Sequence, residues 1–234
     1  MDLFNNFNSG ESKKRNVDIV FCIDGTGSMV PFFEKFRKNI DEFVNALVIA
    51  YVEARTTIKQ FRYKFIIFRD YEYDEDAMQI SRFYNLDNDK RAIKDFLDTI
   101  YPSGGGDGPE NGLEALYYAF NSDFVHDKFD RQIVCLFTDN DALPLNGRKD
   151  STGYPKEMAK DLKELKNMWL YPDEENHKLR ERNKRLVILA PKGTIYHELH
   201  LNKSTVIEVE KNNGLDEVDL EEIAKACVKS ATDI

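Results

Sequence analysis

The sequence predicts a doubly wound α/β domain, a mostly parallel sheet with helices on both faces and one antiparallel strand at its edge. Three observations carry that expectation. The strand-like runs "DIVFCID", "RQIVCLFTDND", "KRLVILAP" and "STVIEVE" are separated by segments whose apolar residues recur at helical spacing, the alternation that builds a parallel sheet wrapped on both faces. The runs "FRYKFIIFRDY" and "AMQISRF" are joined only by the acidic loop 72–76, which marks an antiparallel pair at one edge. The length of 234 residues suits one generous α/β domain whose single core buries most of its apolar surface.

The elements follow in order. Residues 1–16 are polar and rich in Asn and Ser, with Leu3, Phe4 and Phe7 scattered among them. They read as a flexible N-terminal arm, and residues 17–234 as a single domain. After the opening strand, Phe32, Phe36, Ile40, Phe43, Leu47 and Tyr51 recur at helical spacing and predict a long helix from Pro31 to Arg55. Pro31 fits its first turn. Ile93, Phe96, Leu97 and Ile100 place an amphipathic helix on the core, the glycine-rich loop "PSGGGDGPEN" interrupts, and "GLEALYYAF" resumes as helix. From residue 154, lysine and glutamate alternate around Met158, Leu162, Leu165 and Trp169, a charged amphipathic helix with a solvated outer face. The polar stretch "PDEENHKLRERN" follows it, and Leu220, Ile223, Ala224 and Cys227 mark a closing helix.

Composition excludes several function classes. A formal net charge of -9 argues against nucleic acid as a main partner, because phosphate binding needs a basic footprint. Lys13, Lys14 and Arg15 form the only early basic cluster and read as part of the arm. The three cysteines, Cys22, Cys135 and Cys227, cannot pair completely, and each sits in an apolar run as a small hydrophobe, so a reducing compartment is the simplest expectation. No apolar run approaches the roughly 20 residues of a membrane span, and the first residues lack the pattern of a secretion signal. The expected location is cytoplasmic, away from membranes.

The opening strand poses the functional question. "DIVFCIDGTGSM" leaves the core at Asp24 and places Thr26 and Ser28 at alternate positions after it. A second apolar strand ends in acid at Asp139, and the glycine loop carries Asp107. In open α/β sheets, ligands sit beyond the carboxyl ends of the strands where strand order reverses, so these three segments are expected to wall one crevice. Each residue alone has a bland explanation as a helix cap or a turn former. Together, Asp24, Thr26, Ser28, Asp107 and Asp139, with Asp141 and Glu110 near them in sequence, supply only oxygen donors. That chemistry selects magnesium, manganese or calcium over zinc or copper, and a bound ion removes the mutual repulsion of the carboxylates.

The segments "DIVFCIDGTGSM", "GGGDGPENGLEAL" and "LFTDND" resemble, in this order, the three parts of a von Willebrand factor type A (vWA) domain with its metal-ion-dependent adhesion site. The likeness spans roughly residues 17–230 and implies a Rossmann-like layering of the sheet. It is strongest to intracellular vWA proteins such as the vWA-linked alpha-kinases and those of bacterial tellurium-resistance clusters. The resemblance implies that Asp24, Thr26 and Ser28 form the first ligand motif and that Asp139 supplies the third-segment aspartate. The second segment usually offers a threonine, whereas this chain has Asp107 at or next to that place. It further implies a Mg2+ site whose coordination is completed by an acidic residue of another protein, with a kinase, a phosphatase or an ATPase as possible partner. If Asp107 ligates directly, its added charge weakens the pull on a partner carboxylate.

Competing readings are weaker. A magnesium-dependent phosphohydrolase or phosphotransfer enzyme of HAD-like type also begins with an aspartate at the end of a first strand. That chemistry wants a second acid two positions later, where this chain has Thr26. A dinucleotide site at "GTGSMV" lacks the third glycine, and "HELH" (197–200) has its histidines three apart rather than four. One of Phe32 and Phe33 is expected in the core, with the other open between the core and an aromatic contact beside the metal, and Tyr71 and Tyr73 are expected at a solvated hairpin tip, with a partner surface as the alternative.

Overall fold

The computed structural model describes residues 14–53, 57–105, 108–172, 179–212, 215 and 217–229. The first strand, β1 (Lys14–Asp24), is buried from Asn16 to its end. Its side chains alternate between two cores, because successive residues of a strand point to opposite faces. Val17, Ile19, Phe21 and Ile23 enter one core, and Val20 and Cys22 enter the other. A strand covered on both faces reads as an unbroken apolar run, which is how it looks in the sequence.

The remaining strands are β2 (Thr57–Phe68), β3 (Met78–Ile80), β4 (Tyr84–Asn85), β5 (Arg131–Phe137), β6 (Lys184–Pro191) and β7 (Ser204–Val209). They are ordered β3-β2-β1-β5-β6-β7, with β4 also on β2. The pairs along β2-β1-β5-β6-β7 are parallel, and β3 and β4 run antiparallel to β2. The helices are α1 (Val30–Glu53), α2 (Lys90–Asp98), α3 (Gly112–Phe120), α4 (Leu162–Leu170) and α5 (Leu220–Lys229). Residues of α1, α2 and α5 close the first core, while α3 and α4 close the second. Phe21 centres the first, with the rings of Phe36, Phe43, Tyr63 and Phe65 at 5.4–5.8 Å.

The chain leaves β1 toward β2 on one side and returns to β5 on the other. The loops after β1 and β5 therefore part, and the crevice between them is the topological switch point of the sheet. Asp24 ends β1 and Asp139 lies two residues past β5.

Several boundaries differ from the sequence expectation. β1 begins at Lys14, so residues 14–16 belong to the sheet rather than to an arm, and Asn16 is buried with its amide donating 2.9 Å to Asp130. Residues 1–13 lie outside the described residues. The helix expected from residue 154 starts only at Leu162, where the Asp161 side chain caps it by accepting from Glu164 N at 2.8 Å. Residues 154–161 are irregular chain with bends, and Ala159 rather than Met158 is the buried residue there. Pro155 and the Asp161 cap explain this: a proline and a strong N-cap stop a helical pattern from extending upstream.

One glycine fixes how α3 meets the sheet. A methyl on Gly112 would stand 1.9 Å from the Tyr196 hydroxyl and 3.1 Å from Phe68 Cε2. Gly112→Ala is expected to destabilise the protein by about 2 kcal/mol or more through overpacking, read from the urea midpoint; an unchanged midpoint contradicts this packing.

Candidate metal centre

Asp24 is fully buried, and its carboxylate is held on both oxygens. Oδ1 accepts from the Thr26 amide at 3.0 Å and from Thr26 Oγ1 at 2.7 Å, while Oδ2 accepts from Thr138 Oγ1 at 2.7 Å. Ser28 Oγ donates to Asp139 Oδ1 at 2.9 Å and lies 3.3 Å from Thr26 Oγ1. Four of the five expected residues, Asp24, Thr26, Ser28 and Asp139, thus form one continuous chain of polar contacts. Asp107 lies outside the described residues.

The local backbone explains the arrangement. Gly25 donates its amide to Phe68 O at 2.8 Å, and a methyl on it would come within 2.7 Å of Ile67 Cγ2. Thr26 is extended, which turns its hydroxyl back to Asp24, and Gly27–Met29 make one 3-10 turn before α1. Gly104 and Gly105 adopt positive φ of 78° and 88°, the left-handed region that glycine enters freely. They bring the second loop over the first: Gly27 N donates to Gly104 O at 3.4 Å, and a methyl on Gly105 would lie 3.1 Å from Cβ of Thr26.

Arg69 ties the surrounding loops together. Buried just beyond β2, it donates from Nε to Gly25 O at 2.9 Å, from Nη1 to Asp76 O at 3.0 Å and from Nη2 to Tyr101 O at 3.0 Å. On the far side, Asn212 N donates to Asp139 O at 2.9 Å. Sequence reading missed Arg69 and Thr138 as supports of the site. The signals were present: a cation at the end of an apolar strand in "FRD", and a hydroxyl directly before the strand-ending acid in "FTD".

Burial is the first cause that pushes the Asp24 carboxyl up to about 6. Hydrogen bonds from Thr26 and Thr138 oppose it, and the nearby Asp139 charge adds to it. Neutral donors alone hold this carboxylate, so a cation beside it removes a real electrostatic cost. The donor set of two buried carboxylates and clustered hydroxyls fits a hard, oxygen-seeking divalent ion. Among the described residues no three acidic, imidazole or thiol groups converge on one point, so such an ion depends on Thr26 and Ser28 as well as on acids.

The remaining expectations find their places. Phe32 and Phe33 are both buried in the first core, leaving neither for the metal face. Tyr71 is buried against Tyr154 with ring centres 5.0 Å apart, while Tyr73 is exposed. The "HELH" segment overlaps a 3-10 helix, Ile195–Leu199, that buries Tyr196 and Leu199. All three cysteines are free and buried, with the sulfurs of Cys135 and Cys227 3.5 Å apart. Among the described residues no helix is long and apolar enough to cross a membrane. Thr26 occupies the position a phosphohydrolase would give to its second acid, and it donates its hydroxyl to Asp24.

The von Willebrand factor type A domain model matches residues 18–172, more than half of the chain. Among solved structures, the pilus adhesin SpaC from Lactobacillus rhamnosus GG in its open conformation is similar, with 14% identity and a TM-score of 0.51 over 92% of this chain and 30% of the adhesin. A second crystal structure of SpaC gives 12% identity and a TM-score of 0.53, over 92% and 31%. The chain spans under a third of that adhesin's length, and the likeness concerns the fold alone. No curated protein sequence matches the chain.

Proposed function

The chain belongs to the von Willebrand factor type A domain family, and on that premise we propose that it is a metal-dependent protein–protein interaction module with a metal-ion-dependent adhesion site. Domains of this family generally serve interaction and adhesion rather than catalysis. The observation that carries the metal-dependent reading is the polar chain from Asp24 through Thr26 and Ser28 to Asp139, at the switch point of the sheet. In this reading Asp24, Thr26, Ser28 and Asp139 hold a Mg2+ ion, or Mn2+ or Ca2+ in its place, and Asp107 contributes from the glycine loop.

When bound, the ion supplies an electrophilic point to which an acidic residue of another protein can attach. The chain's own residues prepare that point. Asp24 and Asp139 supply charge, Thr26 and Ser28 supply neutral donors that leave the ion partly unsatisfied, and Arg69 keeps the three loops in register. The partner is a protein, with a kinase, a phosphatase or an ATPase in a cytoplasmic setting as candidates. The likeness of "DGTGSM" and "GGGDGPE" to intracellular vWA proteins supports this.

Thermal melting of chelator-treated protein tests the proposal. Magnesium at a hundred times its dissociation constant is expected to stabilise the fold by about 2.7 kcal/mol, with a rise in melting temperature that Ser28→Ala diminishes. A melting temperature indifferent to magnesium, manganese and calcium contradicts it.

A further inference from the structure

Glu110 follows Pro109 at the end of the glycine loop and has no place in the ligand set above. It is 1% exposed. Its backbone is stitched to the loop that follows Asp139: Glu110 N donates to Asp141 O at 3.1 Å, and Glu110 O accepts from Leu143 N at 2.9 Å. This is a parallel bridge between Glu110 and Ala142. The position of Glu110 is therefore fixed relative to the third segment of the site, not only to its own loop.

The side chain is directed toward the first segment. A methyl on Gly105 would stand 3.6 Å from Glu110 Oε1 and 3.1 Å from Cβ of Thr26, so the carboxylate and Thr26 flank one point beside the glycine loop. Tyr196, fully buried, reports the same neighbourhood from behind. After burial itself, the charges of Asp24, Asp141, Glu114 and Glu110 hold its hydroxyl well above its ordinary pKa. Asp24 and Glu110 thus bear on one ring.

Because no three acidic groups converge on one point among the described residues, Glu110 stands outside a shell built on Asp24 and Asp139. We infer that Glu110 is an outer-shell carboxylate of the cation site, an inference that rests on the metal-dependent reading. Its charge strengthens binding of a divalent cation, and its oxygens accept hydrogen bonds from water that the ion holds. Outer-shell partners of this kind are worth about 10–100-fold in metal affinity. Glu110 is a positioning residue for the ion.

The test is calorimetric titration of chelator-treated wild type, Glu110→Asp and Glu110→Gln with magnesium chloride, alongside melting of each metal-free protein. Affinity is expected to fall in the order wild type, Glu110→Asp, Glu110→Gln, with a loss of about tenfold in the last. The metal-free melting temperature of Glu110→Gln is expected to be no lower than that of wild type. Unchanged affinity in Glu110→Gln, or a loss matched by a lower metal-free melting temperature, overturns the inference. Should Glu110→Gln fail to fold, Glu110→Asp decides alone: reduced affinity supports the inference and wild-type affinity overturns it. Folded wild type that binds no magnesium overturns the metal-dependent reading and the inference together, whereas binding that ignores Glu110 overturns the inference only.

Discussion

Asp24→Asn is expected to abolish magnesium binding and to make the metal-free protein more stable. The two effects have one cause. Asp24 is fully buried and its partners, the hydroxyls of Thr26 and Thr138 and the Thr26 amide, are neutral. Burying a charge with neutral partners only is costly, and the Asp139 charge adds to the cost. Asparagine keeps one acceptor for Thr26 and removes the charge. The Thr138 hydroxyl can rotate to accept from the new amide.

The pH dependence has a definite sign. Burial pushes the Asp24 carboxyl up to about 6 in the folded chain, above the ordinary carboxylate range, so the folded chain binds this proton more tightly than the unfolded chain does. Metal-free stability is therefore expected to rise as pH falls from 6 toward 4, by roughly 2–3 kcal/mol at most from this group. Asp24→Asn removes that slope. Urea denaturation of both proteins at pH 4.5 and 7.5, in chelator, measures it; equal slopes in the two proteins contradict the assignment.

Arg148→Met is expected to cost about 3 kcal/mol, because it strands a buried carboxylate. Asp70 is fully buried, and Arg148 grips it from Nε at 2.8 and 3.0 Å and from Nη2 at 2.5 Å. Arg148 also pairs with Glu72, and its guanidinium carbon lies 5.5 Å from the Tyr73 ring centre. The clamp joins the loop after β2 to the long segment after β5. Adding Asp70→Asn to Arg148→Met is expected to recover part of the loss, since the stranded charge is then gone. A double variant as unstable as the sum of the two single ones contradicts this coupling. The magnesium affinity of folded Arg148→Met should match wild type, because the clamp touches none of the candidate ligands.

Much of this architecture was legible in the sequence for physical reasons. Strands covered on both faces must be apolar at nearly every position, so β1, β5 and β6 announce themselves. The parallel order and the antiparallel edge at β3 follow from the spacing of strands and helices. The late start of α4 was not legible from periodicity alone, because the lysine–glutamate pattern continues upstream of the Asp161 cap. β4 was missed because two residues, Tyr84 and Asn85, carry no period at all.

The candidate site was legible in part. Asp24 ends β1, Thr26 and Ser28 follow it within four residues, and Asp139 lies two residues past β5, so the paired strand ends carry all four to one place. Glu110, Arg69 and Thr138 act through tertiary contacts: a loop-to-loop bridge, a guanidinium spanning three loops and a hydroxyl crossing from β5 to β1. No local pattern encodes such contacts. The same limit explains why Phe32 and Phe33, adjacent on α1, both turn out to be core residues; the broad aromatic core around Phe21 accepts two neighbouring ring positions.

The most direct test of the central claim is calorimetric titration of chelator-treated wild-type protein with magnesium, run beside Asp24→Asn. The expected result is saturable binding of one ion by the wild type and none by the folded variant. Equal binding by both proteins, or none by folded wild type with any of the three divalent ions, would contradict a cation site built on Asp24, Thr26, Ser28 and Asp139.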